Sequence, residues 1–307
     1  MRDTPSWVAL GDVWPNRQAS HFVEAGAQRW HVQLFGSGPP LLLVHGTGSA
    51  THSWRDLAPR LARRFTVIAP DLPGHGFTTP PRTDLLSLDG LASELGTLLD
   101  ALGAQPAIGV AHGAGMAVLL RHVLERPGAF RTLVGINAAL TPPRRHLWTL
   151  LAPAANVSSR SSFVDGLGSR LAQVSLEESL LRSMGSAMPD AQAALYTAFL
   201  RSRRHMGAVT TMFANWDAGR LQRDLAQLEL PVTLAVALND PWVPARIADR
   251  LAGRFRNVRI VEIGDCGHLA HEEKPGLVET IVVESAQREG VLARSSAGAQ
   301  RPADLRP

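Results

Sequence analysis

The chain has a single cysteine, Cys266, and a single lysine, Lys274, in 307 residues. One cysteine excludes an internal disulfide framework and fits a reducing cytoplasm. No apolar run approaches the roughly 20 residues that span a bilayer, so no transmembrane segment is expected. The first residues, Met1-Arg2-Asp3-Thr4-Pro5, lack the charged-then-apolar order of a signal peptide, and the expected location is cytoplasmic. Arginine carries nearly all the positive charge, and the net charge is only +4 although the pI is about 10.4. Basic runs with interleaved aromatics are missing, which argues against nucleic acid as a partner. Neither H-E-x-x-H nor C-x-x-C occurs, so the motifs call for no metal and no cofactor.

What is present is an ordinary globular balance, 45% hydrophobic and 19% charged, enough for one large core. Runs at His21–Ala25 and Arg29–Phe35 read as a hairpin turning at Gly26. Short continuous apolar runs at Leu41–Val44, Phe65–Ala69, Ala107–Ala111, Leu133–Asn137, Val232–Leu238 and Val258–Ile263 read as buried parallel strands. Leu85–Leu102 and Met116–Leu124 have helical spacing between them. Strands alternating with helices imply an α/β fold, a mostly parallel sheet flanked by helices on both faces.

From about Ala138 to Arg223 the rhythm breaks and no strand is expected. Pieces at His146–Leu151, Ser175–Ser183 and Ala191–Arg203 look helical. The chain therefore divides into a core over 1–138, a helical cap over 139–223 inserted after the sixth strand, the rest of the core over 224–287, and a disordered tail over 288–307. Arg144 and Arg145 with His146–Leu151 would serve as a cap element or as a peripheral contact with a bilayer surface.

The chemistry-bearing residues follow strand ends. Gly109-Val110-Ala111-His112-Gly113-Ala114-Gly115 has the frame G-x-S-x-G of a nucleophile elbow, a strand-to-helix turn that presents a side-chain oxygen. Gly113 stands where the serine belongs. Asp240, in Asn239-Asp240-Pro241, and His268, in Gly264-Asp265-Cys266-Gly267-His268, follow later strands in the order nucleophile, acid, base. A carboxylate there can orient a histidine and stabilise its cation. Asp265 is a second candidate for the acid. His45-Gly46-Thr47-Gly48 after Leu41–Val44 suits an oxyanion loop, with backbone N–H groups of Thr47 and Ala114 as the donors. His45, Gly46 and His112 are expected at the pocket, His112 mainly as a packing residue. Asp71 in Asp71-Leu72-Pro73-Gly74-His75-Gly76 is assigned to structure. Arg201, Arg203, Arg204 and His205 form a basic cluster, read as a solvated helix end or as an anion contact.

As a set, these motifs resemble the α/β-hydrolase fold superfamily with a cap. The words Trp14-Pro15-Asn16-Arg17, Phe22-Val23-Glu24-Ala25-Gly26, Arg29-Trp30-His31-Val32-Gln33, Thr51-His52-Ser53-Trp54-Arg55 and Ala69-Pro70-Asp71-Leu72-Pro73-Gly74-His75-Gly76-Phe77-Thr78 resemble more narrowly the BchO group, magnesium-chelatase accessory proteins of bacteriochlorophyll biosynthesis. The narrower resemblance implies a photosynthetic bacterium, a role near magnesium insertion into protoporphyrin, and chelatase subunits as partners. The wider fold has G-H-S-x-G where this chain has Ala111-His112-Gly113-Ala114-Gly115. Removing a triad nucleophile costs on the order of 10⁶ in kcat, which closes the acyl-enzyme route. Two functions stay open: a protein that binds a hydrophobic ligand of the (Mg-)protoporphyrin type, or a hydrolase that Gly113 disables or that works through a His268-activated water.

Overall fold

The computed structural model describes residues 5–128, 130–141, 178–293 and 305–306. A hairpin of β1 (Ser20–Ala25) and β2 (Gln28–Phe35) opens the sheet. Then come β3 (Pro40–Val44), β4 (Thr66–Pro70), β5 (Ile108–His112), β6 (Thr132–Ile136), β7 (Val232–Ala237) and β8 (Val258–Ile263). Their order is β1-β2-β4-β3-β5-β6-β7-β8, and a two-residue β9 (Leu305–Arg306) pairs antiparallel with β8. From β4 to β8 every pairing is parallel.

The central strands β3 to β7 are buried almost throughout because helices cover both faces. Leu42, Val44, Ala111 and Leu234 pack with the helices Leu88–Ala101 and Gly115–Glu125. Their alternates Leu41, Leu43, Val110 and Ala235 pack with Leu57–Leu61 and Pro275–Arg288 on the other side. Alternating side chains serve the two cores in turn, so no position along these strands is left to water.

The strands lie within two residues of their sequence-predicted bounds, and the insertion follows β6 as expected. The cap differs in one respect. Ala191–Arg203 was expected as a single helical piece, but the chain forms two helices, Asp190–Leu200 and Arg203–Ala214. Ser202 causes the break: its backbone is extended and its Oγ accepts the His205 N–H at 3.2 Å, which starts a new helix. His146–Leu151, Arg144 and Arg145, residues 175–177 of Ser175–Ser183, and 294–304 and 307 of the tail lie outside the described residues. No described helix is long and apolar enough to cross a membrane.

One glycine sets how closely helix and sheet approach. A Cβ on Gly115 would stand 2.3 Å from the His45 carbonyl oxygen and 2.6 Å from that of Val44. Both are backbone atoms of the β3 end, so neither can swing away. Gly115→Ala is expected to cost about 3 kcal/mol, a lowering of Tm by roughly 6–12 °C. A thermal melt checks this, and an unchanged Tm would mean that the helix is free to move off β3.

Candidate functional site

Five strand ends meet at one edge of the sheet, where ligand sites of open parallel sheets form. After β5 the chain turns sharply at Gly113, whose φ is +53°, and enters the helix Gly115–Glu125. Glycine adopts this left-handed conformation freely, whereas an L side chain there costs about 1–2 kcal/mol. The turn itself therefore forms without a side chain at its tip. Gly113 N–H donates to the Ile136 carbonyl at 3.0 Å, tying the turn to the end of β6.

Asp240 and His268 come together across this turn. His268 Nδ1 is 2.8 Å from Asp240 Oδ2. The other oxygen of Asp240 accepts the N–H groups of Trp242 at 2.7 Å and Val243 at 3.0 Å. Burial works against ionising Asp240, but the His268 ring and these N–H donors outweigh it and hold the carboxyl below its usual range. An ionised Asp240 accepts only, so Nδ1 of His268 carries the proton. Nε2 of His268 then faces Gly113: a Cβ on Gly113 would lie 3.7 Å from it and 3.8 Å from Gly46 Cα. Ordinary contact distances of this kind leave room for a side chain. Asp265 sits exposed on the histidine loop with φ +50° and makes no contact with His268 among the described residues.

The loop after β3 forms the facing wall. Gly46, Thr47, Gly48 and Ala114 line the cleft. The N–H groups of Thr47 and Ala114 make no hydrogen bond among the described residues. His45 stands behind this loop rather than in the cleft. Its Nδ1 donates to the Gly46 carbonyl at 2.8 Å and its Nε2 accepts the Leu72 N–H at 2.9 Å, so the ring is fully used in bracing two backbones. His112 is buried at the cleft floor, where its Nε2 donates to the His268 carbonyl at 3.0 Å. Burial, reinforced by the neighbouring His268, pushes its imidazole down to about 3.

Two further groups hold the histidine loop, and sequence reading passed over both. Asn137, at φ +46° just after β6, donates to the carbonyls of His268 at 2.8 Å and Gly267 at 3.2 Å. Its Oδ1 accepts the Ala237 N–H at 2.7 Å. An asparagine directly after an apolar strand was the available signal. The second group is a buried network. Glu272 accepts from Ser53 Oγ at 2.7 Å, from Arg55 Nη2 at 2.6 Å and from the hydroxyl of Tyr196, the chain's one tyrosine. Ser53 Oγ lies 2.6 Å from His271 Nε2. Tyr196 belongs to the cap helix Asp190–Leu200, so this network pins cap to core. Asp71 is structural: it takes the His31 ring at 2.8 Å and the N–H groups of Thr51 and Phe77 at 2.7 and 2.9 Å. Cys266 is buried, and burial pushes its thiol up to about 12, out of nucleophile range.

The cleft between cap and floor measures about 1080 Å³, counting the part open to solvent. Met184, Met206, Phe213, Trp216 and Trp242 supply its apolar walls. Among the described residues no charged side chain lines it, and Arg201, Arg203 and Arg204 are elsewhere on the cap. His205 is buried against the His75 ring at 5.0 Å and accepts the Gly76 N–H at 3.3 Å. Chemically the site offers a histidine–carboxylate pair, two backbone donors and an apolar enclosure, with nothing at Gly113 to form a covalent bond to substrate.

Comparison with known proteins agrees with this fold. The alpha/beta hydrolase fold family matches residues 39–275. The magnesium-chelatase 30 kDa subunit of Rhodobacter capsulatus is 34% identical over 267 residues, covering 86% of this chain and 93% of that protein. The 2-hydroxy-6-oxo-2,4-heptadienoate hydrolase of Pseudomonas putida is 26% identical, covering 87% and 96%. Among solved structures, an alpha/beta hydrolase fold protein from Burkholderia ambifaria superposes with a TM-score of 0.72 at 24% identity, covering 86% of this chain and 99% of that one.

Proposed function

The chain belongs to the α/β-hydrolase fold family and groups there with the magnesium-chelatase 30 kDa subunit; from that premise we propose that it is a non-hydrolytic accessory protein of magnesium chelation, holding a (Mg-)protoporphyrin-type ligand under its cap. The observation that carries this reading is Gly113 at the tip of an intact elbow. The turn, the acid and the histidine are in place, and the attacking group alone is missing. Aromatic and thioether walls suit a flat, polarisable ring system. Chelatase subunits are the partners that the relative's name suggests, and the proposed setting is the cytoplasm of a photosynthetic bacterium, with peripheral membrane contact possible through the cap. Magnesium enters here as cargo of the ligand or the partner complex.

Titration of the protein with protoporphyrin IX and with its magnesium complex tests the proposal. A Soret-band shift with saturable binding at micromolar protein is expected for at least one of them. Unchanged spectra for both would overturn the reading.

A second reading has its own observation: a Cβ at Gly113 meets nothing closer than 3.7 Å. The site has therefore kept space for a nucleophile beside His268, as a disabled hydrolase, or one using a His268-activated water, would require.

A further inference from the structure

The helix Leu57–Leu61, the turn after it and the helix Pro275–Arg288 bring three arginines onto one carboxylate. The Glu279 side chain is nearly buried, 11% exposed. Arg63 Nη2 donates to its two oxygens at 2.8 and 3.0 Å, and Arg64 Nη1 donates to one of them at 3.0 Å. Arg60 Nη1 stands 3.8 Å from the other. Among the described residues no other carboxylate lies within ion-pair distance of the three. Asp56, the nearest acid in sequence, pairs with Arg55 at 3.4 Å.

One arginine is enough to neutralise Glu279. The other two leave positive charge over, and like charges gathered on one carboxylate repel each other. More cations stand here than the burial of Glu279 calls for, and an anion from outside would relieve them. The carboxylate also prepares them for it, because it holds long side chains that would otherwise lose rotamer freedom on binding. The side chains of Arg60, Arg63 and Arg64 stay 43%, 60% and 47% exposed. Each guanidinium carries five N–H donors in a planar fork. Only Nη2 of Arg63 and Nη1 of Arg64 donate to Glu279, so most of the donors are left for a second anion.

The surroundings choose the class of that anion. Planar guanidinium forks match carboxylates in pairs. The exposed large apolar side chains among the described residues are Val8, Val13 and Leu238, none of them on these two helices, so nothing here would enter a lipid layer. Neither helix carries an aromatic side chain to stack on a base.

We propose that Arg60, Arg63 and Arg64 form a docking surface for an acidic segment of a partner protein, with Glu279 as the anchor that holds the three forks in place. The surface is separate from the cleft and does not rest on the ligand proposed for it. None of the residues lining the cleft belongs to either helix, so a partner seated here leaves those walls untouched. Contacts of this kind govern the rate of encounter and the choice of partner more than the tightness of the complex.

The test is fluorescence anisotropy of a fluorescein-labelled peptide of alternating aspartate and alanine, titrated with the full chain. Saturable binding with a Kd of about 10–100 μM is expected at about 50 mM salt, weakening at least about fivefold at about 300 mM. Arg60→Gln with Arg64→Gln leaves the Arg63 hydrogen bonds to Glu279 in place, so the fold should hold while binding weakens at least about fivefold. Arg246→Gln with Arg250→Gln removes the same charge from the helix Arg246–Ala252 and should change binding by less than about twofold. Arg60→Glu alone, at the longest of the three distances, repeats the test if the first pair does not fold. Absence of saturable binding, or equal weakening in both paired variants, would overturn the docking surface. So would tighter binding of phosphatidylglycerol vesicles or of duplex RNA than of the peptide. The Soret titration reads the cleft instead, so either proposal can fail while the other stands.

Discussion

Gly113→Ser is expected to give this chain an esterase activity that His268→Ala then removes. A serine Cβ would lie 3.7 Å from His268 Nε2, which brings its hydroxyl within hydrogen-bond reach. Asp240 already fixes the opposite nitrogen at 2.8 Å, and the Thr47 and Ala114 amides, which make no hydrogen bond among the described residues, are the donors expected for the oxyanion. A complete triad is worth on the order of 10⁶ in kcat, but an ångström of misplacement costs about 10²-fold. The φ of +53° at this position adds about 1–2 kcal/mol of strain. A gain of roughly 10²–10⁴ in p-nitrophenyl butyrate turnover over the parent is therefore expected. Measurement of kcat/KM for the parent, Gly113→Ser and Gly113→Ser with His268→Ala decides it. A folded Gly113→Ser variant that stays inert would show that the donors, not only the nucleophile, have left hydrolytic geometry. Activity in the parent that needs His268 would instead favour the activated water.

The second large effect concerns acid. His45, His52, His75, His112, His205 and His271 are all buried, and burial lowers each imidazole. His52 and His112 come down to about 3 and His205 to about 4. Unfolded, each would titrate near 6.5. Below that pH the unfolded chain takes up protons that the folded chain refuses, so stability falls with pH through the window from about 6.5 to about 4. His52, His112 and His205 alone remove on the order of 5 kcal/mol between roughly pH 6.5 and pH 5, comparable with a whole domain's stability of about 5–15 kcal/mol. Glu272 acts in the opposite sense. Burial, its largest influence, raises its carboxyl, so it holds a proton that the unfolded chain gives up, but Glu272 and the likewise raised Glu94 are outnumbered by the buried histidines. Thermal melts should lose more than about 10 °C between pH 7 and pH 5. A flat profile over that interval would mean that the rings reach water in the folded state.

The strands and their parallel sheet were legible because each central strand is a short apolar run between breakers, the pattern of a strand covered on both faces. Asp240 and His268 were legible as strand-end residues in the right order, and the structure places them in hydrogen-bond contact. Tyr196 and Glu272 were not. Each sits in a helix at a position that reads as an exposed polar site, and their partners lie 76 residues apart in sequence. Nothing local in a single sequence announces a pairing over that distance. Ser202 was missed for a related reason: its flanking residues keep helical spacing, and only its side-chain bond to His205 N–H breaks the run. The arginine cluster was weighed as an anion contact on charge alone, and charge does not say which face of a helix meets the cleft.

The seams between cap and core bear on timing. Tyr196 ties the cap to Glu272 and Ser53. His268 N–H reaches the Met184 carbonyl at 2.9 Å, Leu269 N–H reaches Ser186 Oγ at 2.8 Å, and Ala187 N–H reaches Glu273 at 3.2 Å. Parting the roof at this side would strand several buried donors and acceptors at once, an event that small fluctuations do not supply. On the proposed reading, a guest held at this seam would leave only as those bonds part together. Its release would then call for a second surface that competes for them, which is the behaviour of a courier and not of a buffer.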